Sequence, residues 1–162
     1  MSDPDEATPR GRLLLVTATR AQVRTALASA LALRLDRAVV VDGEALEEAV
    51  TLAGTHDWDE PPAPEQLRMR LLRWSAALAV AETYQLEGFD AVVAEEALGD
   101  RLEDFLDLVE PEPVHVVVIR EDADPATPHW GLWVDGTQAP EVTAADVLTR
   151  LGEAVVLTSA PD

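Results

Sequence analysis

Four short apolar runs, each closing on a polar exit and followed by a helical pattern, constrain this chain most. They are LLLV at 13–16, AVVV at 38–41, DAVVA at 90–94 and VHVVVI at 114–119. Continuous runs of this kind are expected of central strands covered on both faces. The segment after the first run, 21–35, places Val23, Leu27, Ala30, Leu31 and Leu35 in one helical stripe. Strands alternating with helices imply right-handed crossovers and a parallel sheet. The expected class is therefore α/β: a three-layer α/β/α domain around a mostly parallel five-stranded sheet. The fifth strand is expected at 130–134, and 154–157 forms either a short extra strand or a packed tail.

The connecting elements follow from spacing and breakers. A helix is predicted over 45–53, then a Pro- and acid-rich loop over 54–64 that contains His56 and Trp58. A long helix is predicted over 65–87. Leu67, Leu71, Trp74, Leu78 and Ala81 form one stripe, and Met69, Leu72, Ala76 and Val80 a second, so burial on two sides is expected. Gly88 is placed to end it. Asp100 and Glu103 have capping-box spacing, and Thr143 is placed to N-cap a final helix. Residues 1–11 are expected to be a disordered lead-in, 12–157 one domain, and 158–162 a tail.

Charge narrows the function classes. Against 31 acidic residues there are 12 basic ones, for a formal net charge of −19. Nucleic acid and anionic membranes are thus poor partners. There is no cysteine, which excludes disulfides, thiolate catalysis and Cys-ligated zinc. Every basic residue is arginine, which excludes Schiff-base lysines and Ser–Lys dyads. The acidic N-terminus carries no apolar targeting segment, so the expected location is cytoplasmic.

Ligands of open α/β sheets bind beyond the C-terminal strand ends. Asp42, Glu95, Glu96, Arg120 and Asp135 fall at those exits, beside the 17–25 turn. That turn fits the frame of a phosphate loop, G-x-x-x-x-G-K-[ST], without a gap. It reads Ala18-x-x-x-x-Val23-Arg24-Thr25, with both glycines and the lysine replaced. Arg68, Arg70 and Arg73 cluster on the long helix, where surface ion pairs with nearby acids are expected.

Four blocks in order resemble the small P-loop kinases and phosphotransferases, the group that includes chloramphenicol phosphotransferase, gluconate kinase and adenylylsulfate kinase. They are LLLVTATRAQVRT, VVVDGEAL, GFDAVVAEEAL, and VHVVVIR with GLWVDGTQAPEVTAADVLTRL. The resemblance implies a nucleotide set of Thr19, Arg20, Arg24 and Thr25. It puts Thr25, Glu95 and Glu96 at Mg²⁺ positions, Asp42 at the acceptor-activating acid, and Arg120 in the catalytic lid. ATP and Mg²⁺ are the implied cofactors if the nucleotide site is retained. The same residues also read as ordinary ones: Arg24 and Thr25 in a first helical turn, Asp42 as a cap, Glu95 and Glu96 as solvated charges. The lid segment EDADPATPHW is acidic and would repel a triphosphate. The expectation is a kinase-like protein with a degenerate site and a binding or regulatory role, its ligand a nucleotide, small molecule or protein. The alternative is an atypical ATP-dependent phosphotransferase acting on a small-molecule hydroxyl.

Overall fold

The computed structural model describes residues 8–51 and 63–157. Residues 1–7 of the expected lead-in at 1–11, residues 52–62 with His56 and Trp58, and the tail at 158–162 lie outside the described residues. Five strands run parallel: β1 (Leu13–Thr17), β2 (Ala38–Asp42), β3 (Asp90–Ala94), β4 (Val114–Ile119) and β5 (Leu132–Val134). Their order is β2-β3-β1-β4-β5, and the two-residue β6 (Val155–Val156) pairs antiparallel with β4. The helices are α1 (Ala21–Ala32), α2 (Gly43–Glu48), α3 (Ala63–Gln85), α4 (Arg101–Val109) and α5 (Pro140–Thr149).

The two-residue period of the strands sorts their side chains into two cores. Leu13, Leu15, Val93, Val116 and Val118 pack with Trp74 and Ala77 of α3 and Phe105 of α4. Leu14, Val16, Val92, Val117 and Ile119 pack with Leu27 and Leu31 of α1 and Ala144 and Val147 of α5. This is the three-layer arrangement. Trp74 meets Phe105 edge-on, with ring centroids 5.4 Å apart.

Several local expectations are corrected. Helix α2 ends at Glu48 and does not extend to 53, and it begins directly at the β2 exit because Asp42 caps it. The Asp100 side chain makes no capping bond. Helix α5 starts at Pro140, whose fixed φ suits a first turn. Thr143 therefore lies inside the helix, its hydroxyl donating to the Asp135 carbonyl at 3.3 Å. Strand β5 starts two residues later than expected, after Gly131 (φ 77°). The second stripe of α3 faces solvent: Leu72 is 63% exposed and Val80 39%. Gly88 does terminate α3, at φ 86°, a left-handed conformation that glycine adopts without steric cost. Among the described residues no helix is long and apolar enough to cross a membrane.

The N-terminal edge of the sheet is tied by charge. Asp90 accepts from the Arg12 backbone N–H and from its guanidinium, at 2.8, 3.1 and 2.8 Å. Burial pushes the Asp90 carboxyl up, but these Arg12 bonds outweigh it and hold it below the usual carboxylate range. Nearby, His115 on β4 places Nδ1 3.3 Å from the Leu13 carbonyl. Burial, with Arg12 repulsion added, depresses the His115 pKa below 6.5 against the opposing pull of Leu13 and Asp90. A depressed folded value means that the neutral ring stabilises the fold. That contribution is complete above the unfolded pKa and is lost as pH falls through the folded one. Acidification from about pH 8 to about pH 5 should therefore cost the wild type more unfolding free energy than His115→Gln. Denaturant titrations across that range would contradict this if the two curves ran parallel.

Candidate functional site

The strand exits converge where β1 passes into α1. Only residues 18–20 separate the two elements, and Arg24 N–H already donates to the Arg20 carbonyl at 3.3 Å. Among the described residues no non-glycine has a positive φ. Ala21, Gln22 and Val23 cost less in a helix than glycine would, and α1 begins at Ala21.

The start of α1 offers unpaired N–H groups and partial positive charge. An internal carboxylate meets the first of them, that of Arg20. Asp122 accepts from the Arg20 backbone N–H at 2.7 Å and from Arg20 Nε at 3.1 Å. Its main-chain carbonyl accepts from Thr19 N–H at 2.8 Å and from the Thr19 hydroxyl at 3.0 Å. Asp122 lies in a 3₁₀ turn, Arg120–Asp122, directly after β4. The preceding Glu121 accepts from Gly136 N–H at 2.6 Å, which fastens the same turn to the loop after β5. In that loop the Asp135 carboxylate accepts from Thr137 N–H and hydroxyl, and these bonds hold its pKa below the usual range. Between α1 and this loop lies a cavity of about 30 Å³, lined by Val23, Leu27, Ile119, Gly136, Gln138, Pro140 and Thr143. It has room for about one water molecule.

Two arginines organise the acids on the other side. The Arg24 side chain is only 4% exposed. Its Nη1 donates back to the Ala18 and Thr19 carbonyls at 2.8 and 2.9 Å. Its Nη2 reaches Glu44 at 3.5 Å, Glu96 stands 3.9 Å from Nη1, and Nε is buried without a partner. Glu95 is fully buried and is gripped by Arg73 of α3 through both carboxylate oxygens, at 3.0 and 2.9 Å. Arg73 also donates to Glu47 at 2.8 Å. Burial works against the Arg73 charge, but the Glu95 hydrogen bonds and the Glu95, Glu47 and Glu44 charges prevail, so its pKa is raised. Gly43 closes this pair from above: a Cβ there would overlap the Glu95 carboxylate.

Thus Thr19, Arg20, Arg24, Glu95 and Glu96 come to one sheet edge, with Thr25 half-buried on α1. Asp42 spends one carboxylate oxygen on Glu44 N–H at 3.0 Å, as the cap of α2. Arg120 turns away toward β5 and donates to the Trp133 carbonyl at 3.3 Å. Among the described residues no group of three His, Asp or Glu side chains is arranged to hold a metal ion. Asp122, Glu121 and the Glu95 partnership of Arg73 escape sequence reasoning. The acidity of the lid was the available signal for the first two.

No protein-family model matches this sequence, and no curated protein matches it. Solved structures do. The chain is similar to an APS kinase of Mycobacterium tuberculosis, with 16% identity and a TM-score of 0.65 over 89% of this chain and 99% of that one. It is also similar to a shikimate kinase of Aquifex aeolicus, at 14% and 0.52 over 86% and 95%. A gluconokinase of Sinorhizobium meliloti gives 12% and 0.51 over 89% and 93%. At such identities the likeness is one of fold, and the chain has the α/β fold of the P-loop kinases.

Proposed function

We propose that this chain is a P-loop-kinase-like protein whose degenerate nucleotide site is filled by its own side chains, and that it serves a binding or regulatory role instead of transferring phosphate. The observation that carries this reading is Asp122. Its carboxylate sits at the start of α1, where a phosphate group would need the same N–H donors. Other features support it. The Arg24 guanidinium is committed to the Ala18 and Thr19 carbonyls, and so is turned away from any triphosphate. Both Glu95 oxygens are committed to Arg73, which leaves Thr25 and Glu96 as an incomplete Mg²⁺ set. The cavity beside Val23 and Gly136 has room for about one water molecule. These residues do not fit ATP and Mg²⁺ as they stand. Phosphotransfer, with Asp42 as base, would require Asp122 to withdraw and the first turn of α1 to unwind.

A ligand that binds only the folded state raises stability, by about 2.7 kcal/mol at a hundred times its dissociation constant. The unfolding midpoint of the wild type should therefore be the same in millimolar Mg-ATP and in Mg-chloride of equal ionic strength. A nucleotide-dependent rise would overturn the reading.

A further inference from the structure

A second cavity lies at the opposite end of the sheet from the strand exits, where the chain enters β1 and where α3 and α4 both end. Its volume is about 310 Å³, at the lower end of the roughly 300–1,000 Å³ typical of small-molecule sites. Leu13, Leu78, Leu108 and Val109 give it apolar walls. Glu82, Glu110 and Glu112 line it with a single counter-charge, Arg10, which leaves two negative charges in excess. The helix ends add to that excess. The C-terminus of a helix carries partial negative charge, and neither α3 nor α4 has a basic residue in its last turn.

The polar groups here are open to a ligand. Gln85 is only 2% exposed and lines the cavity. Its Nε2 donates to the Gly11 carbonyl at 3.0 Å, which orients the amide, and its Oε1 accepts from no described residue. A buried acceptor is thus directed into the cavity without a donor. Glu110 is exposed and forms no ion pair with a described residue. Arg10 is shared, at 3.1 Å from Glu112 and 3.7 Å from Glu82. All three of these side chains reach solvent, so such pairs are weak and exchange readily for another cation.

We propose that this cavity binds a short alkyl diamine as its dication. Two ammonium groups match the excess of two carboxylates, and one of them supplies the donor that Gln85 Oε1 lacks. The hydrocarbon spacer covers the leucine and valine walls. An anion would be repelled by the carboxylates, and a wholly apolar ligand would leave the Gln85 acceptor unpaired. A bare metal ion would leave the apolar walls uncovered, and among the described residues no three acidic side chains are arranged to hold one.

Calorimetric titration of the full chain with cadaverine, a five-carbon diamine, tests this. Saturable one-to-one binding is expected, weakening as salt is raised. Pentylamine, with the same hydrocarbon and one charge, should bind about tenfold more weakly. Glu110→Gln should weaken cadaverine binding about tenfold without loss of stability, whereas Glu141→Gln on α5 should leave it unchanged. Arg10→Ala removes the internal competitor for Glu82 and Glu112, and should tighten binding about tenfold. No saturable heat at millimolar cadaverine would overturn the proposal. So would equal weakening by Glu110→Gln and Glu141→Gln, which would mark diffuse attraction to an acidic surface. Pentylamine binding as tightly as cadaverine, or Arg10→Ala binding no tighter than wild type, would overturn the charge match on which the proposal stands.

Discussion

Arg73→Ala is expected to destabilise the fold by about 3–5 kcal/mol, because it leaves Glu95 buried without its partner. The Glu95 side chain is 0% exposed and the Arg73 side chain 16%, so water cannot replace the lost bonds. The pair joins α3 to the β3 exit, and Glu47 extends it to α2. Loss of the exposed Glu47 contact alone should cost about 1 kcal/mol or less. Replacing both Arg73 and Glu95 with apolar residues of similar size should recover most of the loss, because the desolvation cost disappears along with the bond. Urea unfolding of the single and double variants checks this. If Arg73→Ala were within 1 kcal/mol of wild type, the pair would not be holding these elements together.

Asp122→Ala is expected to cost about 2–3 kcal/mol, since it removes two hydrogen bonds to a charged acceptor that is mostly withdrawn from water. The Asp122 side chain is 13% exposed, and it alone satisfies the Arg20 N–H. Asp122→Asn keeps the shape but loses the charge that complements the start of α1, so it should fall between Ala and wild type. The 120–127 segment would still be tied by Glu121, by the Thr19 bonds to the Asp122 carbonyl, by Arg120 to the Trp133 carbonyl and by the Gly99 N–H to the Thr127 hydroxyl, but its start should become more sensitive to protease. Equal stability and equal cleavage rates for all three proteins would show that the carboxylate is an incidental surface contact.

The fold was legible because β1 to β4 are each built on a short, mostly apolar run bounded by polar or turn residues. The order of the four blocks carried the architecture further than any single one. The site was less legible, for physical reasons that differ by residue. Asp122 is far from Thr19 in sequence, and only the fold-back after β4 makes its carboxylate an internal anion. Arg73 appeared as one of three surface arginines, because spacing along α3 does not reveal that Glu95 is buried beneath it. The apolar residues Leu72 and Val80 have the periodicity of a buried stripe, but periodicity cannot distinguish a core from a face left open on the surface. Thr143 has good capping chemistry, but Pro140 starts α5 one turn earlier.

The central claim is that the strand–helix turn at 18–20 no longer has a place for phosphate, because Asp122 and Arg24 already use its donors and acceptors. Calorimetric titration of the wild type with Mg-ATP tests it most directly. No saturable heat is predicted up to millimolar nucleotide. Tight, Mg-dependent binding that disappears in Arg24→Ala would contradict the claim and restore the chain to the active phosphotransferases.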